Sequence, residues 1–224
     1  MSHSKNIYEK ILKLPLFQGM SKSELTQVLT QTKFEFISLA KGKTIIYEGD
    51  NCTHLYFLLD GSICMITTPD DHRFNIIESI YAPDILQPEH FFGMTQRYDS
   101  TFTSHTDSQL LRIHKNDVNA IIEHFNIFRI NLFNMLATQS QRQKHHLWRA
   151  IPTNTHQKIV RFFENHSRRP AGEKVFNIKM QQLANEIGES RLQVSRELNR
   201  LQNEQLIILT RGQIHIPALE RLLM

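Results

Sequence analysis

The sequence has few of the residues that build metal clusters or disulfide frameworks. It contains two cysteines, Cys52 and Cys64, among 224 residues. Two thiols are too few for a four-cysteine zinc or iron–sulfur site within one chain, so we expect each to be a buried free thiol. No apolar run approaches the roughly 20 residues that cross a bilayer, and the N-terminus MSHSKNIYEKIL lacks the apolar core of a secretion signal. These absences predict a cytoplasmic protein without a membrane partner.

The first two thirds of the chain have no excess of positive charge. Residues 1–148 carry 14 basic and 15 acidic side chains, whereas residues 149–224 carry 12 basic and 7 acidic ones. A local excess of positive charge favours binding to a polyanion. We therefore expect a polyanionic partner for the last third and not for the rest.

Residues 34–114 have the pattern of a β-rich domain. Short runs of β-branched and aromatic residues, such as KTIIYEGD and HLYFLLDGSICMITT, alternate with Gly, Asp, Pro and Asn. Turn signals at this spacing, without any strand–helix–strand alternation, predict an antiparallel sandwich, roll or barrel. Residues 1–33 contain helical signals, among them a capping box formed by Ser21 and Glu24.

From residue 116 the pattern becomes helical. NDVNAIIEHF predicts a short helix, and NIFRINLFNMLATQSQRQKHHLW, which has no Gly or Pro, predicts a long one. Ile130, Phe133 and Ala137 form one apolar stripe of the long helix, which is widened by Leu132, Met135 and Leu136. One apolar face could pack on the β-domain and the other on a partner chain. The helix could also pack wholly inside its own chain.

Pro152 interrupts the helical pattern, and Asn154 or Thr155 can cap the helix that follows. The sequence thus predicts three regions. They are a β-domain with flanking helices over 1–115, a short and a long helix over 116–149, and a separate C-terminal domain over 150–224.

The stretch LANEIGESRLQVSRELNRLQ, residues 183–202, predicts two helices joined by a tight turn. Gly188 suits the left-handed position that ends a helix, and Ser190 with Gln193 has the spacing of a capping box. In a helix from about Arg191 to Asn203, Val194 and its i+4 and i+7 neighbours fall on one face. The predicted corner therefore has an apolar inner side.

The opposite face of the second helix carries Leu192, Ser195, Arg196 and Asn199. Arginine and asparagine can read guanine and adenine edges with paired hydrogen bonds. The following segment, LIILTRGQIHIP, predicts two strands with Arg211 at the turn between them. A helix-turn-helix followed by such a hairpin is the winged-helix design, whose second helix enters the DNA major groove.

Four segments of the sequence carry a resemblance to a known family. They are PLFQGMSKSELTQVL, GKTIIYEGDNCTHLYFLLDGSICMI, LLRIHKNDVNAII and GESRLQVSREL. Taken together they resemble the Crp/Fnr family, the bacterial dimeric transcription regulators related to the cyclic-AMP receptor protein. The resemblance implies an α+β architecture: an N-terminal antiparallel β-roll of the cyclic-nucleotide-binding type, a long dimerisation helix and a C-terminal winged helix-turn-helix.

The implied function is sequence-specific regulation of transcription by a homodimer on an inverted repeat of double-stranded DNA, with RNA polymerase as a further partner if the protein activates. The resemblance implies DNA roles for Arg191, Ser195 and Arg196. Leu192 departs from the family, which often has a glutamate there that accepts from cytosine; leucine offers only apolar contact, for example to a thymine methyl. The usual half-site is therefore not assumed. The predicted DNA-contacting residues are Lys179, Gln181, Arg191, Leu192, Ser195, Arg196, Asn199, Arg200 and Arg211.

The family's cyclic-nucleotide phosphate cassette resembles Gly-Glu followed later by Arg-Ser/Thr-Ala. Counting back from LLRIH without gaps puts Gln87-Pro88 at the Gly-Glu pair and Tyr98-Asp99 at Arg-Ser. Proline removes an N–H donor and Asp99 adds a negative charge, although a one-residue shift would restore Arg97. We therefore predict a roll that does not bind cyclic AMP.

Two alternatives remain for the roll: it senses another small molecule near the long helix, or it serves only as a scaffold for the dimer. The candidate effector residues are Gln87, Glu89, His90, Arg97 and Tyr98. Some family members sense gases through haem, for which His90 or His105 could supply an axial ligand. A cupin-like β-roll enzyme is more distant, since the sequence lacks the His-x-His pair that its metal needs. We predict no enzyme activity, no metal site and no cofactor, with haem left open.

Overall fold

The computed structural model describes residues 2–223, and for residues 2–6, 146 and 147 it describes the backbone alone. The chain forms two compact units. The first holds the chain up to Ile63 together with Ile80–Leu147, and the second holds Cys64–Ser79 together with the chain from Trp148 onward. Between residues 2 and 223, no helix combines the length and the apolar character that crossing a bilayer requires.

The first unit begins with two helices, α1 (Ser2–Leu12) and α2 (Lys22–Gln31). The predicted capping box at the start of α2 is confirmed. The Glu24 N–H donates to Ser21 Oγ at 3.1 Å, and the Ser21 N–H donates to the Glu24 carboxylate at 2.8 Å. Two backbone donors that lack partners inside the helix are thereby satisfied.

Strands follow along the β-rich part of the sequence. Their bounds are β1 Phe34–Leu39, β2 Thr44–Ile46, β3 His54–Asp60, β4 Ser62–Thr67, β5 Asn75–Tyr81, β6 Asp84–Leu86, β7 Thr101–Ser104 and β8 Ser108–His114. In the first unit, one sheet has the order β1-β8-β3-β6, and β2 pairs with β7. These pairs are antiparallel, which confirms the predicted β-roll class.

Two helices complete the first unit, α3 (Lys115–His124) and α4 (Asn126–Leu147), in agreement with the predicted short and long helices. The Phe17 ring lies 5.5 Å from the Phe57 ring of β3 and 5.1 Å from the Phe128 ring of α4. On α4, Phe128 is fully buried, whereas Ile130 and Phe133 remain 45% and 58% exposed. The helix therefore has one apolar side in the core of its own chain and another that is uncovered.

The second unit contains the remaining elements. They are α5 Thr155–Asn165, β9 Lys174–Asn177, α6 Met180–Ile187, α7 Arg191–Asn203, β10 Ile208–Thr210, β11 Gln213–Ile216 and α8 Leu219–Leu222. Asn154 caps α5 by accepting the Gln157 N–H at 2.9 Å. The sheet of this unit has the order β10-β11-β9-β5-β4, so a hairpin from the β-rich part of the sequence contributes to it. The predicted three-region division did not anticipate this contribution and stays a prediction.

Candidate DNA interface and effector region

The turn between α6 and α7 is fixed by two local devices. Gly188 adopts φ +64°, and the next residue donates its N–H to the Ala184 carbonyl at 2.9 Å, which ends α6. The Gln193 N–H then donates to Ser190 Oγ at 3.2 Å, and the Ser190 N–H donates to Gln193 Oε1 at 3.3 Å. Both predicted signals are confirmed, and together they set where α7 begins and how it leaves the turn.

The inner face of α7 anchors it in the core of the second unit. Val194, Leu198 and Leu201 are fully buried, in a cluster that also holds Leu183 of α6 and Phe163 of α5. Burial at i, i+4 and i+7 fixes the rotation of the helix about its axis. The predicted inner stripe is confirmed.

The outer face of α7 presents the predicted polar set to solvent. Arg191, Arg196 and Asn199 are exposed, Leu192 is 60% exposed, and Ser195 is half-buried. Among the residues that the structure describes, none forms an ion pair with Arg191 or Arg196. Two guanidinium groups on this face are therefore available to an anion.

Arg200 differs from the other two arginines of α7. Its guanidinium nitrogens lie 2.6 Å from a Glu197 oxygen, 2.5 Å from a Glu204 oxygen and 3.0 Å from His156 Nδ1. The hydrogen bond from Arg200, followed by that from His156, lowers the pKa of Glu197. Arg200 was predicted to contact DNA, and the structure shows that its charge is balanced within the chain.

The other predicted DNA-contacting residues lie at the start of α6 and at the tip of the wing. Lys179 is the exposed residue before α6, and Gln181 in its first turn donates to Asn185 Oδ1 at 3.1 Å. Arg211 is exposed at the turn between β10 and β11, where Gly212 takes φ +79°. The element before α7 and the hairpin after it thus each carry an exposed basic side chain, Lys179 before α6 and Arg211 at the tip of the wing.

The predicted effector region contains a cluster of polar side chains around Asp99. Gln87 precedes the short 3₁₀ helix Pro88–His90 with φ +39° and is 6% exposed. Its Nε2 donates to the Asp99 carboxylate and, at 3.2 Å, to Ser100 Oγ. Ser100 Oγ donates to Asp99 Oδ1 at 3.1 Å, and His90 Nε2 lies 3.1 Å from Asp99 Oδ2. The carboxylate is therefore surrounded by three side chains of its own chain.

The remaining effector candidates have other partners. Glu89 Oε2 accepts from Gln139 of α4 at 3.3 Å. Arg97 is exposed and donates to the Gly49 carbonyl at 2.8 Å. Tyr98 is buried, its hydroxyl donates to the His54 carbonyl at 2.7 Å, and burial raises its pKa.

The structure thus brings Gln87 and His90 together and does not bring Arg97 or Tyr98 into their cluster. Two members of the region, Ser100 and Gln139, were missed from the sequence. The β-rich run STFTSHT predicts a strand beginning near Ser100, which is a weak signal, whereas no local signal links Gln139 to residue 89. In the described part of the chain, no group of three or more His, Cys, Asp or Glu side chains is arranged to hold a metal ion.

Two family models match this sequence. The cyclic nucleotide-binding domain matches residues 36–125, and the Crp-like helix-turn-helix domain matches residues 157–224. Together they cover more than half of the chain, with the cyclic nucleotide-binding domain first and the helix-turn-helix domain second. The chain belongs to the Crp/Fnr family. It is a transcription regulator with a cyclic-nucleotide-binding-type domain and a Crp-like helix-turn-helix domain.

Solved structures show the same fold as this Crp/Fnr chain. The catabolite activator protein of Thermus thermophilus is similar with a TM-score of 0.51 and 20% identity, over 93% of this chain and 96% of the other. The sensor domain of the transcriptional regulator DNR from Pseudomonas aeruginosa has a TM-score of 0.55 and 16% identity, over 68% of this chain and all of the other. No curated protein sequence matches significantly.

Proposed function

We propose that this Crp/Fnr regulator binds an inverted repeat of double-stranded DNA as a homodimer, with α7 of each copy in the major groove. The observation that carries the proposal is the outer face of α7, where Arg191 and Arg196 are exposed and unpaired beside a buried inner stripe. Arg191, Arg196 and Asn199 would read base edges, and Leu192 would contact a thymine methyl. Lys179 and Gln181 at the start of α6 would contact phosphates. Arg211 at the tip of the wing would do the same.

The uncovered side of α4 supports the homodimer. Ile130 and Phe133 are 45% and 58% exposed, and Ala137 is exposed one turn further along. A cavity of about 340 Å³ lies beside this stripe. It is lined by Phe92, Asn119, Ile122, Glu123, Arg129, Leu132, Phe133 and Leu136. Self-association along α4 would bury these apolar groups on a two-fold axis, and the two winged helices would then require half-sites about one helical turn apart.

Selection from random double-stranded DNA, together with sedimentation of the free protein, tests the proposal. We expect an enriched inverted repeat and a dimer. Phe133→Lys should shift the protein toward monomer and reduce affinity for the full repeat much more than affinity for an isolated half-site. Lys43→Ala, on an exposed position of the first unit, is the control. A chain that stays monomeric and binds random and selected DNA equally would contradict the proposal.

The roll is proposed not to bind cyclic AMP. By the ungapped count from LLRIH, Asp99 falls where the family cassette has a phosphate contact. Gln87, His90 and Ser100 already surround its carboxylate. Arg97, the nearest basic side chain in the sequence, donates to a backbone carbonyl. An entering phosphate would meet a negative charge where it needs donors.

A different small molecule is the proposed effector. Within residues 2–223, the side-chain oxygens of Gln87 and Gln139 are among the few buried polar atoms without a hydrogen-bond partner. Buried acceptors of this kind are normally satisfied, so an effector with hydrogen-bond donors fits this region better than an anion does. Calorimetric titration with cyclic AMP and cyclic GMP should show no binding. Micromolar binding that Arg97→Ala abolishes would contradict the proposal, and mass spectrometry of molecules carried through native purification would identify the true effector.

The remaining expectations follow from the same function. The protein is proposed to act in the cytoplasm, to contact RNA polymerase where it activates, to catalyse no reaction and to work without haem. His90 supports the last point, since its Nε2 faces the Asp99 carboxylate at 3.1 Å. An absorbance spectrum of freshly purified protein tests it, because a Soret band would show haem.

A further inference from the structure

A hairpin from the middle of the sensor sequence is part of the unit that carries the helix-turn-helix. This inserted hairpin, Cys64–Ser79, contains most of strands β4 and β5 and groups with the chain from Trp148 onward. The whole of Ile80–Leu147 separates the two segments in the sequence. A winged helix is normally one continuous segment, so the contacts of the inserted hairpin bear directly on what holds α7 in place.

The inserted hairpin supplies part of the core beneath α7. Phe74 and Ile76 are 5% and 2% exposed and belong to the same buried cluster as Val194 and Leu198. The Phe74 ring lies 5.7 Å from the Phe162 ring of α5. Withdrawal of the inserted hairpin would leave a void in this cluster and would expose apolar surface to water.

The inserted hairpin also completes the sheet of the wing. Strand β9 lies between β11 and β5, and its register with β5 pairs Ile76 with Phe176 and Glu78 with Lys174. Without β5, one side of β9 would become an edge with unpaired N–H and C=O groups. The wing strands are attached to the other side of β9, so the wing depends on the same strand.

A buried ionic cluster joins the inserted hairpin to β9. The side chains of Glu78 and Lys174 are 1% and 0% exposed, with Oε2 and Nζ 3.3 Å apart. The Glu78 carboxylate also accepts the N–H of Arg168 at 2.7 Å and that of Arg169 at 3.0 Å, and Lys174 donates to the Ala171 carbonyl at 2.7 Å. Burial lowers the pKa of Lys174, and Glu78 opposes this shift. Removing either side chain would leave the other buried without its ion-pair partner.

We propose that the inserted hairpin is a latch for the DNA-binding unit. Docked on β9 through Glu78, it holds α7 and the wing in their DNA-binding arrangement, and its release lowers affinity for DNA. Both strands of the hairpin run directly into the sequence of the roll, β4 at Ile63 and β5 at Ile80, so a change in the roll has a covalent route to the latch. The DNA readout of this device rests on the proposed function.

The first experiment removes the charge of the latch and keeps its shape. In the full chain, Glu78→Gln removes the ion-pair partner of the buried Lys174. We expect backbone amides of β9 to exchange with deuterium at least tenfold faster than in the wild type, and affinity for the selected DNA to fall at least tenfold. Glu48→Gln, at an exposed position of the first unit, should change neither quantity.

The second experiment distinguishes a released latch from general damage to the fold. Asn177 Nδ2 donates to Asn75 Oδ1 at 2.5 Å, so Asn75→Cys with Asn177→Cys can form a disulfide that locks the inserted hairpin on β9. In the Glu78→Gln background, oxidation of this pair should restore slow exchange and DNA affinity, and reduction should abolish both. Asn177→Cys alone under the same oxidation is the control for the native thiols.

The outcomes separate the latch from the proposed function. Unchanged exchange in Glu78→Gln, or a locked protein that still binds DNA as weakly as the unlocked variant, overturns the latch. A wild-type protein that binds no selected site overturns the proposed function alone, because the exchange measurement requires no DNA.

Discussion

Two polar regions of the chain, the outer face of α7 and the cluster around Asp99, use their side chains in opposite ways. On α7, Arg191 and Arg196 are exposed, and neither has an ion-pair partner in the described part of the chain. Around Asp99, Gln87 and Ser100 are bonded to the carboxylate and to each other. A surface with unmatched charge attracts an external partner at little cost to the fold, whereas a matched internal cluster contributes to the fold itself.

This contrast predicts which property each region controls. Changes on the outer face of α7 should alter DNA affinity and leave the free energy of unfolding nearly constant. Changes at Asp99 should lower the free energy of unfolding. If a change on α7 altered mainly the free energy of unfolding, or a change at Asp99 altered mainly DNA affinity, then exposure and pairing in the free chain would not indicate the role of a residue.

The largest effect is expected from replacing both unpaired arginines of α7. In Arg191→Ala with Arg196→Ala, each loss should weaken specific binding by about 1–3 kcal/mol, because a guanidinium reads a base edge or clamps a phosphate. Fluorescence anisotropy with the selected operator at constant salt measures the loss. Thermal unfolding followed by circular dichroism should not change, since both side chains are exposed. Affinity within twofold of the wild type would mean that this face does not meet the DNA.

Asp99→Ala provides the opposite case. The change removes the carboxylate that accepts hydrogen bonds from Gln87 and Ser100, and we expect the free energy of unfolding to fall by about 1–3 kcal/mol. Urea unfolding of the full chain measures it. Asp70→Ala removes the same charge from an exposed turn and should cost less than about 0.5 kcal/mol. Equal effects of the two substitutions would indicate that the cluster around Asp99 contributes no net stability.

The different kinds of contact explain how much the sequence could predict. The bounds of α7, Arg191–Asn203, follow from signals within about fifteen residues: the left-handed Gly188, the capping box begun by Ser190 and an apolar stripe with helical period. The antiparallel class of the roll also follows from local alternation and turns. Such features are visible in the sequence because residues close in the chain create them.

The effector region depends on contacts that no local pattern encodes. Glu89 meets Gln139 fifty positions away, and the two segments around Gln87 and Asp99 meet only when the roll is closed. Counting along the chain puts Arg97 one position from the cassette arginine, but in the structure its backbone forms an isolated bridge with residue 51 and its guanidinium donates to the Gly49 carbonyl. The inserted hairpin is a further case, because the pairing of β5 with β9 joins residues about a hundred positions apart.

Leu192→Glu tests whether the outer face of α7 contacts bases. Its expected effect on DNA binding is smaller than that of losing both arginines. A carboxylate at this 60% exposed position can accept from a cytosine amino group, whereas leucine offers only apolar contact. We expect the sequence preference to move toward cytosine at one base pair, by about 1 kcal/mol, at the low end of such discrimination. Selection from random DNA with both proteins measures the change. An identical enriched site would show that residue 192 does not face a base.

The smallest effect is expected at Arg200, which lies on the same helix as Arg196 but has partners within the chain. Its contacts with Glu197 and Glu204 balance its charge, so little of the guanidinium field reaches an approaching phosphate. Arg200→Ala should therefore change specific affinity by less than about 0.5 kcal/mol, as is usual for substitutions away from special contacts. It should also leave the salt dependence of binding unchanged, whereas loss of a phosphate contact lowers that slope by about one. Anisotropy titrations over a range of salt concentrations, with Arg196→Ala as the reference, measure both quantities. A loss as large as that of Arg196→Ala would mean that Arg200 exchanges its carboxylates for phosphate on binding, and pairing in the free chain would then be no guide to the surface that DNA contacts.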